Sequence, residues 1–494
     1  MRPAGRAAWS TLVVVCLVST LIGLNMSTLT IALPAVTRHF EASAFAGSWI
    51  LLSYQVTSTA CLLLVGRLSD TLGQRPLYLG GMLLFTVSCG LCGLAPTVEV
   101  LIALRVLAAL GGAVLIANGA TLIHAAFRQP QLGTAMGLYA ASFPVAHLLG
   151  PTVGGAVVEV AGWEWVFWFN VPLGVVALVV GALLLPRGAS AGADGVRPGL
   201  DLSGNTAIIV VVLCFVTGIS LVTELSWASP LVWGSLLAAA AGMPVLLWLE
   251  RRARHPVLDV GALARRGLGR IYLSTLFNGA SRFPLVVLVS LYLQAVLQVS
   301  PTGAGLQILP MPVGSVLAGL MVGVLSKRLA PQVISALGSG VGLVGGVTVT
   351  VAVLVGEPWL LLPGLVLVGV GTGLFIGTNA TALLDAAGET EIGVVNAMRL
   401  MMQNVGNVTS MALALTLLTA AVPDALSEQL IAATVGAGSV EQVLPGFHVA
   451  FVFLSALGVL GLWFTWPRRT PGVAALGHVG RSAGVGEGRG CDVP

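Results

Sequence analysis

The sequence predicts an all-α membrane protein with fourteen transmembrane helices, arranged 6+2+6, and both termini in the cytoplasm. Three observations carry this expectation. Of 494 residues, 56% are apolar and 9% charged, against the ~25% charged residues of an ordinary soluble domain. Uncharged stretches long enough for a crossing of ~20 residues follow one another along nearly the whole chain. With the amino terminus inside, 19 of the 23 Lys and Arg fall on the cytoplasmic side, where positive charge collects. The same composition excludes a soluble globular protein, a disordered chain, a coiled coil and a nucleic-acid-binding protein.

The crossing stretches run 10–37, 42–66, 76–98, 106–127, 129–158 and 165–186, then 202–223 and 225–249, then 283–326, 329–356, 358–384, 400–423 and 442–467. The first, led by Trp9, is too long for the core of a signal peptide and reads as a membrane helix. Stretch 283–326 has 44 residues and needs a turn, which Ser300-Pro301-Thr302-Gly303 supplies. It therefore becomes two helices, the first entering from Ile271, and the count reaches fourteen. Long polar connections at 187–201 and 251–270 bracket the central pair. The expected organisation is a six-helix bundle over 1–186, a linker with two extra helices over 187–270, a second six-helix bundle over 271–466, and a disordered Gly- and Arg-rich cytoplasmic tail over 467–494. Gly66-Arg67-Leu68-Ser69-Asp70-Thr71-Leu72 parallels Gly323-Val324-Leu325-Ser326-Lys327-Arg328-Leu329 at four of seven positions, in equivalent places of the two bundles.

No catalytic constellation is present: there is no Walker sequence, no HExxH and no paired acidic motif, so an enzyme is not expected. Cys89 and Cys92 form a CxxC inside an apolar run with no second pair, and read as packing residues rather than metal ligands. No metal and no cofactor are expected. The short loop 66–75 sets Gly66 and Gly73 where two helices meet at a tight turn, with Asp70 and Arg75 able to form a latch. Gly150-Pro151-Thr152-Val153-Gly154-Gly155 places small residues four apart inside a helix, which permits a bend or close packing.

These two segments carry a resemblance. Loop 66–75 resembles the signature between the second and third helices of the major facilitator superfamily, and 150–155 resembles the antiporter signature of that superfamily's drug exporters. Five further segments are similar to the fourteen-span drug:proton antiporter family: Leu24 to Pro34, Trp49 with Tyr54, Trp163 to Gly174, Leu291 to Gln294 and Ala304 to Pro310. The likeness covers roughly 9–466. It implies a major facilitator fold in a bacterial plasma membrane and export of antibiotics, antiseptics or dyes by alternating access. It also implies protons as coupling ion and a monomer acting on a small-molecule substrate within the lipid bilayer. The chain departs from the family pattern at Asn25, where an aspartate that carries the proton is usual, at Ala108 and Ala109 after Arg105, and at Glu164 between two tryptophans.

Ionisable and amide side chains at bilayer depth are the candidate functional groups. His147 is the expected proton or substrate group. Arg282 is expected near the midplane, one turn from Asn278. Arginines without a nearby carboxylate favour anionic, zwitterionic or neutral cargo. The expected substrate site comprises Asn25, Tyr54, Gln55, Asn118, His147, Asn278, Arg282, Gln307, Asn379, Asn396, Arg399 and Gln403. The expected gating and coupling set is Gly66, Asp70, Gly73, Arg75, Arg105, Gly150, Pro151, Gly154 and Gly155. Rival readings are an importer or uncoupled facilitator of the same fold, and a membrane sensor or scaffold that transports nothing.

Overall fold

In the computed structural model, residues 6–42, 44–127, 131–185, 202–225, 227–252, 268–299, 301–387, 392–423, 426 and 439–466 are described. The tail 467–494 and most of both long connections lie outside them. Among the described residues the regular structure is entirely helical. In hydrocarbon each backbone N–H and C=O must be satisfied within its own segment, and a helix does this. Hydroxyls inside the helices use the same backbone carbonyls: Thr28 donates to the carbonyl of Leu24 at 2.8 Å and Thr86 to that of Met82 at 2.8 Å.

The helices are α1 (Arg6–His39), α2 (Ala44–Leu72), α3 (Gln74–Cys92), α4 (Val98–Ala126), α5 (Gln131–Ala161), α6 (Trp165–Trp168), α7 (Asn170–Leu184), α8 (Leu202–Leu225) and α9 (Pro230–Arg252). They continue with α10 (Leu268–Ala295), α11 (Pro301–Ile308), α12 (Pro310–Leu325), α13 (Pro331–Val355), a 3-10 turn (Pro358–Leu360), α14 (Leu361–Ala387), α15 (Ile392–Ala420) and α16 (Val440–Thr465). The break within 283–326 falls after Ala295, and α11 starts at Pro301. Among the described residues, twelve helical spans are long and apolar enough to cross a membrane by length and composition; α5 and α15 are not among the twelve, although they run 31 and 29 residues. Gly73, at φ 89°, is the only residue between α2 and α3. A side chain there would be strained, so the tight turn depends on glycine.

Two sets of helices pack among themselves: α1 on α4, α5 and α7 and α3 on α4 in the first, α10 on α15 and α16 and α13 on α14 in the second. Across the sets, α5 meets α12 and α14, and α2 meets α15. The two helices of the central pair differ in their packing. Helix α9 packs only on α8 among its substantial contacts, but α8 packs on both α2 and α15. Its Ile219 and Val222 join Trp49 of α2 with Val408 and Ala412 of α15 in one apolar cluster. Leucine- and valine-rich helices look alike in sequence whether they face lipid or protein, so this placement is a tertiary fact.

Candidate functional site: a polar cavity and a glycine seam

The polar groups of the first set gather around Arg105, which is 1% exposed. Its Nη1 donates to Oδ1 of Asn25 at 3.0 Å and its Nε to the carbonyl of Ile50 at 3.2 Å. The guanidinium carbon lies 4.6 Å from the centre of the Tyr54 ring, a cation–π geometry. Asn25 also donates to the sulfur of Cys89 at 3.7 Å. The CxxC thiols are free and buried. This cluster binds α1, α2, α3 and α4 together around a charge with no carboxylate partner among the described residues.

The second set holds a cavity of about 150 Å³. It is lined by Asn278, Arg282 and Phe283 of α10, Met311 of α12, Thr372 and Phe375 of α14, and Arg399, Gln403 and Asn407 of α15. Arg282 lies mid-helix and is braced from behind, donating to the carbonyls of Gly338 at 3.1 Å and Gly371 at 3.4 Å. Asn278 is likewise committed: it donates to the Ser274 carbonyl at 2.9 Å and accepts from Ser339 at 2.9 Å. Asn379 stands behind the lining, accepting from Thr275 at 2.9 Å and donating to Ser274 at 3.1 Å. Arg399 is different. Its Nε donates to Asn396 at 3.2 Å, whereas its terminal nitrogens have no hydrogen-bond partner among the described residues.

The two sets meet closely at the end that carries Arg67, Arg75, Lys327 and Arg328, here the basic end. Gly137 of α5 and Gly319 of α12 touch backbone to backbone: a Cβ built on Gly319 would lie 2.8 Å from the Gly137 oxygen and 3.0 Å from its carbonyl carbon. One turn nearer the loops, Gly133 faces Ser326 and Gly323 faces Thr134. Asn396 donates across the seam to the Ala117 carbonyl at 2.7 Å, and Asn404 to Thr59 at 3.2 Å. His124 of α4 lies 3.2 Å from Asp385 of α14. At the other end of α5, Val160 is 87% exposed.

The structure therefore divides the expected substrate residues. Arg282, Asn278, Arg399 and Gln403 come together at the cavity, with Asn379 and Asn396 supporting them. Asn25 and Tyr54 belong to the Arg105 cluster instead, and Asn118 is spent on Ser69 and on the Val114 carbonyl. Gln55 supplies its carbonyl to Ser58 and Thr59, and Gln307 sits exposed on α11. The side chains of Asp70, His147 and Pro151 lie outside the described residues. Arg75 donates to the Ala182 carbonyl at the end of α7, at 2.7 Å, the favourable place for a cation at a helix carboxyl end. Gly66 is buried in the last turns of α2. Helix α5 runs unbroken through Gly150 and Gly154, which press on Ser27 and Thr28 of α1; Gly155 meets nothing within 4 Å. The 150–155 segment thus packs within the first set, and the glycines that reach the second set are Gly133 and Gly137. Sequence reasoning missed that seam, although Gly133 with Gly137 and Gly319 with Gly323 show the same four-residue spacing of small residues.

The His124 and Asp385 pair is the weakest part of the closure. Its side chains are 20% and 45% exposed, and pairs this open contribute ~0–1 kcal/mol. Asp385→Asn is expected to leave the melting temperature within a degree or two, while raising labelling of cysteines introduced along the basic end of the seam; unchanged labelling would remove the pair from the gate.

The comparisons with known proteins agree with this architecture. The family model described as Major Facilitator Superfamily matches residues 15–411. The puromycin resistance protein pur8 of Streptomyces alboniger is 29% identical over 92% of this chain and 89% of its own. The tetracenomycin C resistance and export protein of Streptomyces glaucescens is 29% identical over 76% of this chain and 71% of its own. Among solved structures, the human organic anion transporter MFSD10 superposes with a TM-score of 0.64 over 94% of this chain and 100% of that one, at 15% identity, a likeness of fold alone. With a family match across most of its length and helices that span the membrane many times, this chain belongs to the Major Facilitator Superfamily.

Proposed function

We propose that this protein is a secondary active transporter that exports a small amphipathic compound, such as an antibiotic, across the plasma membrane by alternating access in exchange for protons. The length of α5 and α15, added to the twelve apolar spans, supports fourteen crossings, and the charge distribution supports a cytoplasmic location for both termini and the basic end. The moving units would be the bundles 1–186 and 271–466, rocking about the cavity, with α8 bridging them and α9 outside. The observation that carries the reading is the seam: two bundles whose glycine backbones touch at the basic end can separate there while closing elsewhere. Resistance and export in the relatives' names support drug efflux.

Asn25 cannot titrate, so it cannot carry the proton that an aspartate at that position would. His147 on α5 is the proposed relay. The neutral Asn25 also favours a second reading, an uncoupled facilitator. Inside-out vesicles holding the protein, acid-loaded and challenged with matched cationic, neutral and anionic drugs, separate the two. Drug-evoked proton release, lost in His147→Ala, is the expected result. Drug uptake without any proton signal would establish the facilitator, and neither movement would leave the non-transporting sensor or scaffold.

A further inference from the structure

Building on the transporter reading, we infer that the cavity of the second bundle is a recognition site for an anionic aromatic group, with Arg399 as the residue that contacts its charge. Three observations converge. The first is charge without compensation: Arg282 and Arg399 are 9% and 4% exposed, both line the cavity, and neither has a carboxylate partner among the described residues. A buried guanidinium is costly unless something negative meets it, and an anionic ligand would supply that charge only when bound.

The second is the different employment of the two arginines. Arg282 is held by the carbonyls of Gly338 and Gly371, and the Cβ of any larger residue at Gly342 would strike its guanidinium. It is a fixed positive wall. Arg399 is anchored at Nε by Asn396, which is itself pinned across the seam to Ala117 of α4. That leaves its two terminal nitrogens, the fork that binds carboxylates in parallel, unpaired beside the cavity. The third is size and wall chemistry. A cavity of about 150 Å³ matches one that takes up a benzene-sized body, and Phe283, Phe375 and Met311 give it apolar walls. One ring system bearing one acid group fits; a cationic head would face two arginines.

The link from Arg399 through Asn396 to Ala117 adds a consequence. Cargo charge is read by a residue tethered to the opposite bundle at the basic end, so filling the cavity and holding that end closed act on the same side chain.

The test uses a near-isosteric series, benzoate, benzamide and benzylammonium, binding to the purified full-length protein in lipid nanodiscs. The wild type is expected to bind the benzoate about tenfold or more tighter than the amide, a ratio typical of one charge-assisted contact, and the ammonium weakest. Arg399→Gln should bring the benzoate-to-benzamide ratio close to one, and Arg399→Lys should restore part of it, which a purely structural role would not produce. An unchanged ratio in Arg399→Gln, preference for the ammonium, or no binding of any of the three overturns the inference. Failure of the transport reading looks different: the binding ratio stands, yet proteoliposomes move none of the probes. Transport of another drug that benzoate does not inhibit refutes the site while leaving transport intact.

Discussion

Gly319→Ala is expected to reduce transport at least tenfold while leaving the protein folded in the membrane. The added methyl would meet the backbone of Gly137 at 2.8 to 3.1 Å, inside ordinary contact distance, and backbone cannot turn aside as a long side chain can. Overpacking of this kind costs about 1–3 kcal/mol. In the proposed alternating-access cycle only the conformation sealed at the basic end contains the contact, so the whole cost falls on one of two states, and the equilibrium moves about fivefold to 150-fold towards the state open at that end. The check is a spin-label distance between positions 124 and 385, whose native side chains lie 3.2 Å apart. It should lengthen in the variant, with drug-driven flux reduced at least tenfold. Normal flux with an unchanged distance would mean that α5 and α12 do not form the gate.

The second large effect is at Arg105. Arg105→Ala removes the donor to the Asn25 side chain and the Ile50 carbonyl and empties the space over Tyr54. Buried polar groups left without partners cost about 1–3 kcal/mol each, and the loss of packing adds to that. Arg105→Ala is therefore expected to lower the melting temperature in detergent by several degrees and to reduce membrane yield. Arg105→Lys should recover little, because an ammonium cannot reproduce the guanidinium's fixed geometry towards two oxygens and a ring. A lysine variant as stable as the wild type would show that charge alone suffices. Asn25→Asp would give the guanidinium a carboxylate partner and introduce the titratable group that the native chain lacks. Flux that acquires a steeper pH dependence in that variant is the expected outcome, read in the same inside-out vesicles.

Much of the fold is legible in the sequence because hydrocarbon admits few solutions. Runs such as 106–127 must be helical, and most charged residues collect between them. The break after Ala295, the tight turn at Gly73 and the packing glycines of 150–155 also follow locally, since proline, positive φ and missing side chains act on near neighbours. Arg282 near mid-helix and its closeness to Asn278 come from counting residues along α10.

What a side chain faces is another matter. Asn25 and Asn278 look alike in sequence, but one is bound to Arg105 and the other lines the cavity. Gly150 and Gly137 carry the same small-residue signal on the same helix, but they press on α1 and on α12 respectively. By itself the sequence determined a many-helix membrane protein, its family likeness and its chain of polar candidates, because solvation by lipid constrains each segment separately. The tertiary structure alone decided that α8 wedges between α2 and α15, that Arg282 is braced while Arg399 is open, and that the seam uses Gly137 and Gly319. Those outcomes depend on how helices distant in the chain rotate and cross, and in lipid no gradient of hydrophobicity around each helix records it.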